Sequence, residues 1–292
     1  MNKYEDLFKE YPCKQTDAEV KAEVERILAE NFEANNNVEV YKQCLSQIDL
    51  TSLNGADTES KIVGMVNKVN NFKANFPHLP NVAAICVYPA LVPVVKRQLA
   101  QNVGIASVSG GFPASQTFLE VKVAETAMAV LEGATEIDVV ISIGKFLEGK
   151  YEEVYEELDE IKASCRDAHF KVILETGALE TAENIKKASV LAMASGADFI
   201  KTSTGKIPVA ATVEATYVMC QAIKEWHEKT GMKVAYKPAG GISTTEDAVK
   251  HYTIVKAILG KDWLNNKMFR FGASRLANNL LSSIEGKEIK YF

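Results

Sequence analysis

The chain has 292 residues, of which 47% are apolar, so it can bury a large core either as one barrel-sized domain or as two smaller ones. Its formal net charge of −5 is not typical of a general nucleic-acid binder, which needs a basic surface to neutralise phosphates. No apolar run reaches the roughly 18 residues of a membrane span, and the N-terminal sequence MNKYED lacks the apolar stretch of a signal peptide. We therefore expect a cytoplasmic protein with neither nucleic acid nor membrane as a partner.

The first 43 residues predict a helical extension. Thr16 and Glu19 have the spacing of a capping box, and apolar residues follow at helical intervals from Val20 to Phe32. Three asparagines at 35–37 then end the helix. We expect this extension to cover the N-terminal end of the main domain without forming a second domain.

From residue 44 onward, short β-branched runs alternate with helical patterns, as in a series of βα units. The predicted strands are 47–51, 82–88, 104–108, 135–141, 170–175, 198–202, 233–237 and 268–271. The predicted helices include 59–72, 115–131, 152–166, 181–194, 213–229 and 245–259. Eight such units predict a (β/α)8 TIM barrel over residues 44–285, followed by a short tail at 286–292. A doubly wound sheet remains the alternative, because periodicity does not show closure.

The cysteines and histidines show no pattern of a disulfide framework or of a metal site. The five cysteines are odd in number, far apart and without a Cys-x-x-Cys pair, which is typical of reduced thiols in a cytoplasmic protein. The four histidines are scattered, without the His-x-x-x-His spacing. We therefore expect no metal site.

Two neighbouring predicted strands end in a lysine followed by a glycine-containing turn. Lys201 begins the sequence KTSTGK, and Lys237 begins KPAGGI. The C-terminal ends of barrel strands face the active site, and alternation places Lys201, Lys237 and Asp138 inside the barrel. Asp49 ends the first strand in the same way.

Two inward lysines on adjacent strands are expected to influence each other. Ammonium groups about 4 Å apart repel by roughly 4 kcal/mol at an effective dielectric of about 20. That repulsion predicts a lowered pKa for one lysine, and the carboxylate of Asp138 limits the shift and accepts a proton. An uncharged amine beside a proton acceptor is suited to imine chemistry. The alternative is that each lysine forms a structural ion pair or reaches solvent.

Glycine-rich turns close the seventh and eighth predicted strands. Their sequences are PAGGI at 238–242 and FGASR at 271–275. In barrels these two loops commonly bind a phosphate through backbone N–H groups and a helix N-terminus. The TGK at 204–206 does not belong to a Walker loop, because Ile207 stands where Ser or Thr is required.

Seven segments carry a resemblance to a known family. They are DLTSLN at 49–54, AICVYP at 84–89, EIDVV at 136–140, KVILETG at 171–177, DFIKTSTGK at 198–206, KPAGGI at 237–242 and FRFGAS at 269–274. In this order they resemble deoxyribose-phosphate aldolase, a class I (Schiff-base) aldolase, over residues 44–284. The KTSTGK segment is the most specific of them.

The resemblance implies a TIM barrel that needs no metal or organic cofactor. It implies that Lys201 is the Schiff-base lysine and that Asp138 and Lys237 transfer protons. Implied substrate contacts are Asp49, Cys86, Thr204, Gly205 and Lys206, and implied phosphate contacts are Gly240, Gly241, Gly272 and Ser274. Family members often have a second serine where this chain has Arg275, so a cation is available to the phosphate here.

The implied reaction is the reversible cleavage of 2-deoxy-D-ribose 5-phosphate to D-glyceraldehyde 3-phosphate and acetaldehyde, in deoxynucleoside catabolism. The partners are then a small phosphosugar and acetaldehyde, and a homodimer remains open. Two alternatives stand beside it. One is a Schiff-base aldolase or transaldolase for another phosphosugar, and the other is a phosphosugar-binding barrel without catalysis.

Two further predictions concern single residues. Alternation places Glu136 and Lys171 on neighbouring strands inside the barrel, where an unpaired charge is costly, so we expect a buried ion pair. In the resembled family a C-terminal tyrosine has been linked to proton transfer, and Tyr291 is the candidate here. A loose tail without a role is the favoured alternative.

Overall fold

A computed structural model describes residues 3–292, which contain eight parallel strands in one sheet. The strands are β1 (Ile48–Thr51), β2 (Ala84–Val87), β3 (Gly104–Ser109), β4 (Glu136–Val140), β5 (His169–Ile173), β6 (Phe199–Lys201), β7 (Ala235–Lys237) and β8 (Phe271–Ala273). Their order follows the chain, and β8 lies beside β1. Parallel bridges from Tyr236 to Phe269 and from Ala239 to Gly272 bring β7 and β8 together. The predicted TIM barrel is therefore confirmed, and the doubly wound alternative is excluded.

Helices surround the barrel and connect its strands. They are α1 (Lys3–Glu10), α2 (Asp17–Asn35), α3 (Val38–Ser46), α4 (Glu59–Asn75), α5 (Val92–Gln98), α6 (Leu119–Leu131), α7 (Ile143–Leu147), α8 (Tyr151–Cys165), α9 (Thr176–Leu179), α10 (Ala182–Ala194), α11 (Val213–Thr230), α12 (Thr245–Leu259) and α13 (Leu276–Glu285). A threonine side chain caps the N-terminus of five of them by accepting a backbone hydrogen bond: Thr16, Thr58, Thr181, Thr212 and Thr244. These caps satisfy N–H groups that would otherwise lack partners, which fixes where each helix begins.

Most predicted elements differ from the observed ones by one to a few residues at their ends, and three of these differences have a clear structural reason. β5 stops at Ile173 rather than 175, because Glu175 has a left-handed backbone (φ +57°) that a strand does not accommodate. α6 begins at Leu119 rather than 115, because Ser115 also has a positive φ of 57°. The prediction of 268–271 for β8 was offset. Residues before Phe271 pair with β7 only through an isolated bridge, and the continuous ladder with β1 begins at Phe271.

The N-terminal extension packs on the outside of the barrel. Asp17, at the start of α2, accepts a hydrogen bond from the N–H of Ala182, where α10 begins (2.7 Å). Asn35, at the end of α2, donates to Thr253 in the second half of α12 (3.2 Å). Barrel helices run from the C-terminal to the N-terminal face, so α2 spans the height of the helix layer. The expected position over the N-terminal end was wrong for α2, whose apolar face is buried against α11 and α12.

The C-terminal tail folds back between α13 and α4. Asn278 accepts hydrogen bonds from the N–H groups of Tyr291 (2.8 Å) and Phe292 (2.9 Å), and the Tyr291 hydroxyl donates to the carbonyl of Lys68 on α4 (2.7 Å). The ring of Phe292 stacks on buried Phe72, with centroids 5.4 Å apart. The tail is therefore packed and not loose, and Tyr291 lies in the outer layer, away from the barrel interior.

Alternation along the strands separates an apolar outer layer from a charged interior. Outward residues such as Ile137, Val139, Ile200 and Tyr236 belong to the core between sheet and helices. Inward positions hold Lys201 with Phe199, as predicted. This partition places the long polar side chains together inside the barrel.

Candidate active site

Lys201 and Lys237, the last residues of β6 and β7, meet Asp138 from the middle of β4 inside the barrel. Lys201 Nζ and Lys237 Nζ each donate a hydrogen bond to Asp138 Oδ2, both at 2.7 Å. Lys201 is 3% exposed, and the other two side chains are fully buried. The two lysines are register partners on adjacent strands, so one carboxylate oxygen reaches both. The structure thus brings together the three residues predicted to carry the chemistry.

The environment of Lys201 favours its uncharged form. Burial is the largest influence on the pKa of Lys201 and lowers it, because the ammonium loses its hydration. The Asp138 carboxylate opposes this lowering, and the Lys237 ammonium reinforces it. The sequence argument attributed the lowered pKa to repulsion by Lys237, whereas burial is the larger cause.

The pKa of Lys237 is shifted in the opposite direction, upward. Burial alone would lower its pKa, but the carboxylates of Asp138 and Asp49 outweigh the desolvation and raise it. Lys237 Nζ also donates to Asp49 Oδ2 at 2.5 Å. Burial alone would raise the pKa of Asp138, but the three surrounding lysines hold it far below its ordinary value. The site therefore combines a poised amine, a persistent ammonium and a persistent carboxylate.

A second layer of ionic contacts lies beneath these residues. Lys171 Nζ is 2.5 Å from Glu136 and 2.9 Å from Asp49, which confirms the predicted Glu136–Lys171 pair. Arg270 joins the same acids, with 2.6 Å to Asp49 and 3.0 Å to Glu136. Sequence reasoning missed Arg270. Strand alternation could have identified it, because it stands two residues before inward-facing Gly272 and so also faces the interior.

Small residues make room for these long side chains. A Cβ at Gly104 would lie 2.6 Å from Glu136 Oε1, and one at Gly272 would lie 3.3 Å from Lys237 Cε. Ala84 and Ala106 occupy other inward positions. The charged interior is thus possible because neighbouring strands contribute little volume there.

Asp49 and Cys86 do not line the pocket that opens above Lys201. Asp49 is fully buried between Lys237, Lys171 and Arg270. Cys86 is also fully buried on β2, and burial raises the pKa of its thiol. The structure therefore places both residues behind the pocket that was expected to contact substrate: Asp49 is part of the ionic network, and Cys86 packs among small apolar side chains of β2 and β3.

The pocket above Lys201 has a volume of about 260 Å³. It is lined by all the other residues predicted to contact substrate or phosphate: Lys201, Thr204, Gly205, Lys206, Gly240, Gly241, Gly272, Ser274 and Arg275. Sequence reasoning missed Asn54 and Ser243, which also line it. Asn54 follows β1, and Ser243 follows the glycine-rich turn after β7. Both segments had been predicted to lie at the active-site end of the barrel, and this position could have identified the two residues.

The wall of this pocket is suited to an anion. The backbones at Gly205 and Gly240 pack against each other, and a Cβ on Gly240 would lie 2.8 Å from the Gly205 Cα. No side chain caps the N-terminus of α13, whose first turn follows Ser274 and Arg275. Uncapped N–H groups at a helix N-terminus attract negative charge. Lys206 and Arg275 add cations at the rim.

Glu175 fixes the loop that contributes Thr204 to the pocket, and sequence reasoning did not identify it. Its carboxylate accepts hydrogen bonds from the Thr204 N–H (3.1 Å) and hydroxyl (2.5 Å). The side chain is 2% exposed, and the backbone adopts the left-handed conformation noted above. No local pattern signals such a conformation at a glutamate, so only the fold reveals this contact.

No metal-ligand cluster or membrane-spanning helix is found in the described part of the chain. Between residues 3 and 292, no three His, Cys, Asp or Glu side chains are grouped as metal ligands would be. No helix in that range is both long enough and apolar enough to cross a membrane.

The fold and the site together define a TIM barrel that holds a buried lysine, Lys201, beside a carboxylate at the C-terminal ends of its strands. Comparison with known proteins narrows that class. A family described as DeoC/LacD family aldolase matches residues 44–276. A deoxyribose-phosphate aldolase from Homo sapiens is 45% identical over 244 residues, covering 80% of this chain and 77% of that protein. The chain belongs to the DeoC/LacD family of aldolases and is a lyase.

Solved structures agree with this assignment. An aldolase named QR15 superimposes with a TM-score of 0.68 at 30% identity, covering 83% of this chain and 96% of its own. A tetrameric deoxyribose phosphate aldolase from Aeropyrum pernix superimposes with a TM-score of 0.67 at 25% identity, covering 88% of this chain and 96% of its own.

Proposed function

We propose that this enzyme reversibly cleaves 2-deoxy-D-ribose 5-phosphate to D-glyceraldehyde 3-phosphate and acetaldehyde through an imine on Lys201. The observation that carries the proposal is the buried Lys201 amine, which shares Asp138 with Lys237 and opens into a pocket lined by glycine backbone and cations. The activity in the name of the human relative supports the choice of substrate.

In the first half of the reaction, the Lys201 amine attacks the aldehyde carbon C1 of the open-chain sugar. Loss of water from the carbinolamine gives a protonated imine, and Lys237 is placed to supply the proton that departs with the hydroxyl. Asp138, through a water molecule, then removes the proton from the C3 hydroxyl. The C2–C3 bond breaks, its electron pair moves towards the iminium nitrogen, and D-glyceraldehyde 3-phosphate is released.

In the second half, the enamine left on Lys201 is protonated at C2. Water then adds to the resulting imine, and acetaldehyde departs with restoration of the free amine. Asp138 and Lys237 exchange the protons in both directions: at rest the lowered pKa of Asp138 leaves it ionised and able to accept a proton, and the raised pKa of Lys237 leaves it protonated and able to donate one. This division of roles explains why the reaction needs two lysines with opposite pKa tendencies.

The phosphate of the substrate is expected at the glycine-rich wall. Gly240, Gly241 and Gly272 allow the backbone to approach the phosphate, and Ser274 supplies a hydroxyl at the start of α13. Arg275 and Lys206 offer positive charge. Binding the phosphate there holds the sugar chain in line with Lys201, which makes the remote group contribute to the reaction at C1.

Reductive trapping tests the proposal. Acetaldehyde and borohydride should add a two-carbon label to the peptide that contains Lys201, and Lys201→Ala should abolish both labelling and turnover. A label on Lys237 or Lys206 in the wild type would reject the assignment. Equal catalytic efficiency with a ketose phosphate would favour another aldolase or transaldolase, and binding of the phosphosugar without turnover would favour a non-catalytic barrel.

We further propose that residues 44–285 form the catalytic unit, with 1–43 and 286–292 as accessory segments. In the described part of the chain, the accessory segments pack mainly on the outer helices, which supports this division. A cytoplasmic location in deoxynucleoside breakdown is consistent with five free thiols. Activity of a 44–292 variant, together with fractionation of the cell, tests these points.

We also propose a homodimer. Exposed apolar residues concentrate on and beside α6: Phe118, Val121, Met128, Leu131 and Leu147. A second copy of the same face would cover them, and the tetrameric relative from Aeropyrum pernix shows that family members assemble. Light scattering should give twice the chain mass, and Met128→Glu together with Leu131→Glu should give the monomer.

A further inference from the structure

The buried ionic network contains more cations than carboxylates. Its members contact one another at 3.3 Å or less and comprise four bases, Lys171, Lys201, Lys237 and Arg270, and three acids, Asp49, Glu136 and Asp138. With every group ionised, one positive charge has no counterpart. An uncompensated charge inside a protein is costly, so the network is most stable when one base is neutral.

The contacts identify which base loses its proton. Lys171 Nζ lies within 3.3 Å of three carboxylates, and Lys237 Nζ lies within 2.7 Å of two. Lys201 Nζ contacts Asp138 alone. Lys201 is therefore the least compensated amine in the network.

The other groups that face Lys201 do not change this conclusion. Lys237 from β7 repels its ammonium, and the thiol of Cys86 from β2 is protonated because burial raises its pKa. Lys206 and Arg275 line the same pocket and add positive charge above the amine. Each of these neighbours favours the neutral amine or contributes no charge.

Arg270 makes the excess of one positive charge in the network permanent. A guanidinium does not lose its proton in proteins. Its side chain is buried, with donors to Asp49 Oδ1 (2.6 Å) and to Glu136 Oε1 (3.0 Å), and it does not line the pocket. It therefore shares Asp49 and Glu136 with Lys171, and Asp49 with Lys237, so these acids do not fully compensate the two lysines, which also contact Asp138.

We propose that Arg270 is a positioning residue whose permanent charge, applied through Asp49 and Glu136, keeps the amine of Lys201 uncharged for imine formation. It acts at a distance and touches neither substrate nor the reacting atoms. This inference rests on the imine chemistry proposed for Lys201, and it adds that the interior charge count sets the pH at which the imine forms.

A set of variants that changes the count tests the idea. Arg270→Met gives three bases and three acids, and Glu136→Gln gives four bases and two acids. The double variant restores an excess of one. The readout is the initial rate of Lys201 labelling by acetaldehyde and cyanoborohydride, measured by mass spectrometry from pH 6 to 9.5, and its midpoint.

The expected midpoints follow the charge count. A unit charge about 10 Å away, at an effective dielectric of about 20, moves a pKa by about one unit. The midpoint should therefore rise by about one pH unit in Arg270→Met, fall in Glu136→Gln and return close to the wild-type value in the double variant. Arg270→Lys serves as the matched control with an unchanged midpoint, because an amine between Asp49 and Glu136 has two carboxylates to keep it charged, whereas Lys201 has one.

Other results would overturn the inference. A uniform loss of rate in Arg270→Met with an unchanged midpoint would show that Arg270 only packs the interior. If that variant does not fold, equal midpoints in Glu136→Gln and the double variant would lead to the same conclusion. Absence of any Lys201 label in the wild type would instead reject the proposed function itself.

Discussion

Replacing Gly240 by alanine tests how the phosphate wall is built. Gly240 has φ +82°, and an added Cβ would lie 2.8 Å from both the Ala210 Cβ and the Gly205 Cα. Its neighbour Gly241 has φ +81° with no atom within 4 Å of its added Cβ. The two variants therefore share the backbone penalty, and only Gly240→Ala adds a collision with the loop that contains Thr204.

The expected magnitudes follow from these two terms. A left-handed conformation costs an alanine roughly 1–2 kcal/mol relative to glycine. Overpacking a close contact costs about 1–3 kcal/mol more. Gly241→Ala should thus lower the free energy of unfolding by about 1–2 kcal/mol, and Gly240→Ala by roughly 2–5 kcal/mol.

Urea unfolding of both variants measures the difference, provided that the m-values agree. Because relief of the collision moves Gly205 away from Gly240, the KM for the phosphate ester should also rise in Gly240→Ala, while weak turnover of the free sugar changes little. Equal losses of stability in the two variants would refute the close-packed wall.

Four other predictions follow from the structure. Lys237→Leu should shift the pH–rate profile to higher pH, because the repulsion by Lys237 is lost and Asp138 no longer shares its oxygen with a second lysine, so the pKa of Lys201 rises; an unchanged profile would reject this tuning. Glu175→Ala removes both hydrogen bonds to Thr204, so KM should rise several-fold with a smaller change in kcat, whereas Glu175→Gln should retain part of the binding; loss of kcat alone would contradict the positioning role. His251 is buried with its pKa lowered to about 4, mainly by burial, so the unfolded state binds its proton first as pH falls, and stability should decline by up to roughly 3 kcal/mol between about pH 6.5 and pH 4. His251→Gln should flatten that decline, and an identical slope would show that other groups cause it. Deleting residues 290–292 should lower stability through loss of the contacts on α4 while leaving solvent-deuterium exchange into acetaldehyde unchanged, and a large fall in exchange would restore a catalytic role for Tyr291.

The sequence alone was sufficient for features that depend on local geometry. Strand alternation placed Lys201, Lys237 and Asp138 inside the barrel, and the same alternation predicted the Glu136–Lys171 pair. Both conclusions need only the two-residue period of a strand and the order of βα units, which are properties of neighbouring residues. Thr16 and Glu19 likewise fixed the start of α2 through contacts three residues apart.

Tertiary structure decided the features that join distant segments. Arg270 reaches Asp49 across 221 residues and Glu136 across 134, and those contacts exist only after the barrel closes. The place of α2 depended on which apolar groove the helix layer offers, since an amphipathic pattern requires a partner without naming it. Burial, the main cause of the lowered pKa of Lys201, is a sum over all surrounding strands, so no pair of residues in the sequence could give its size.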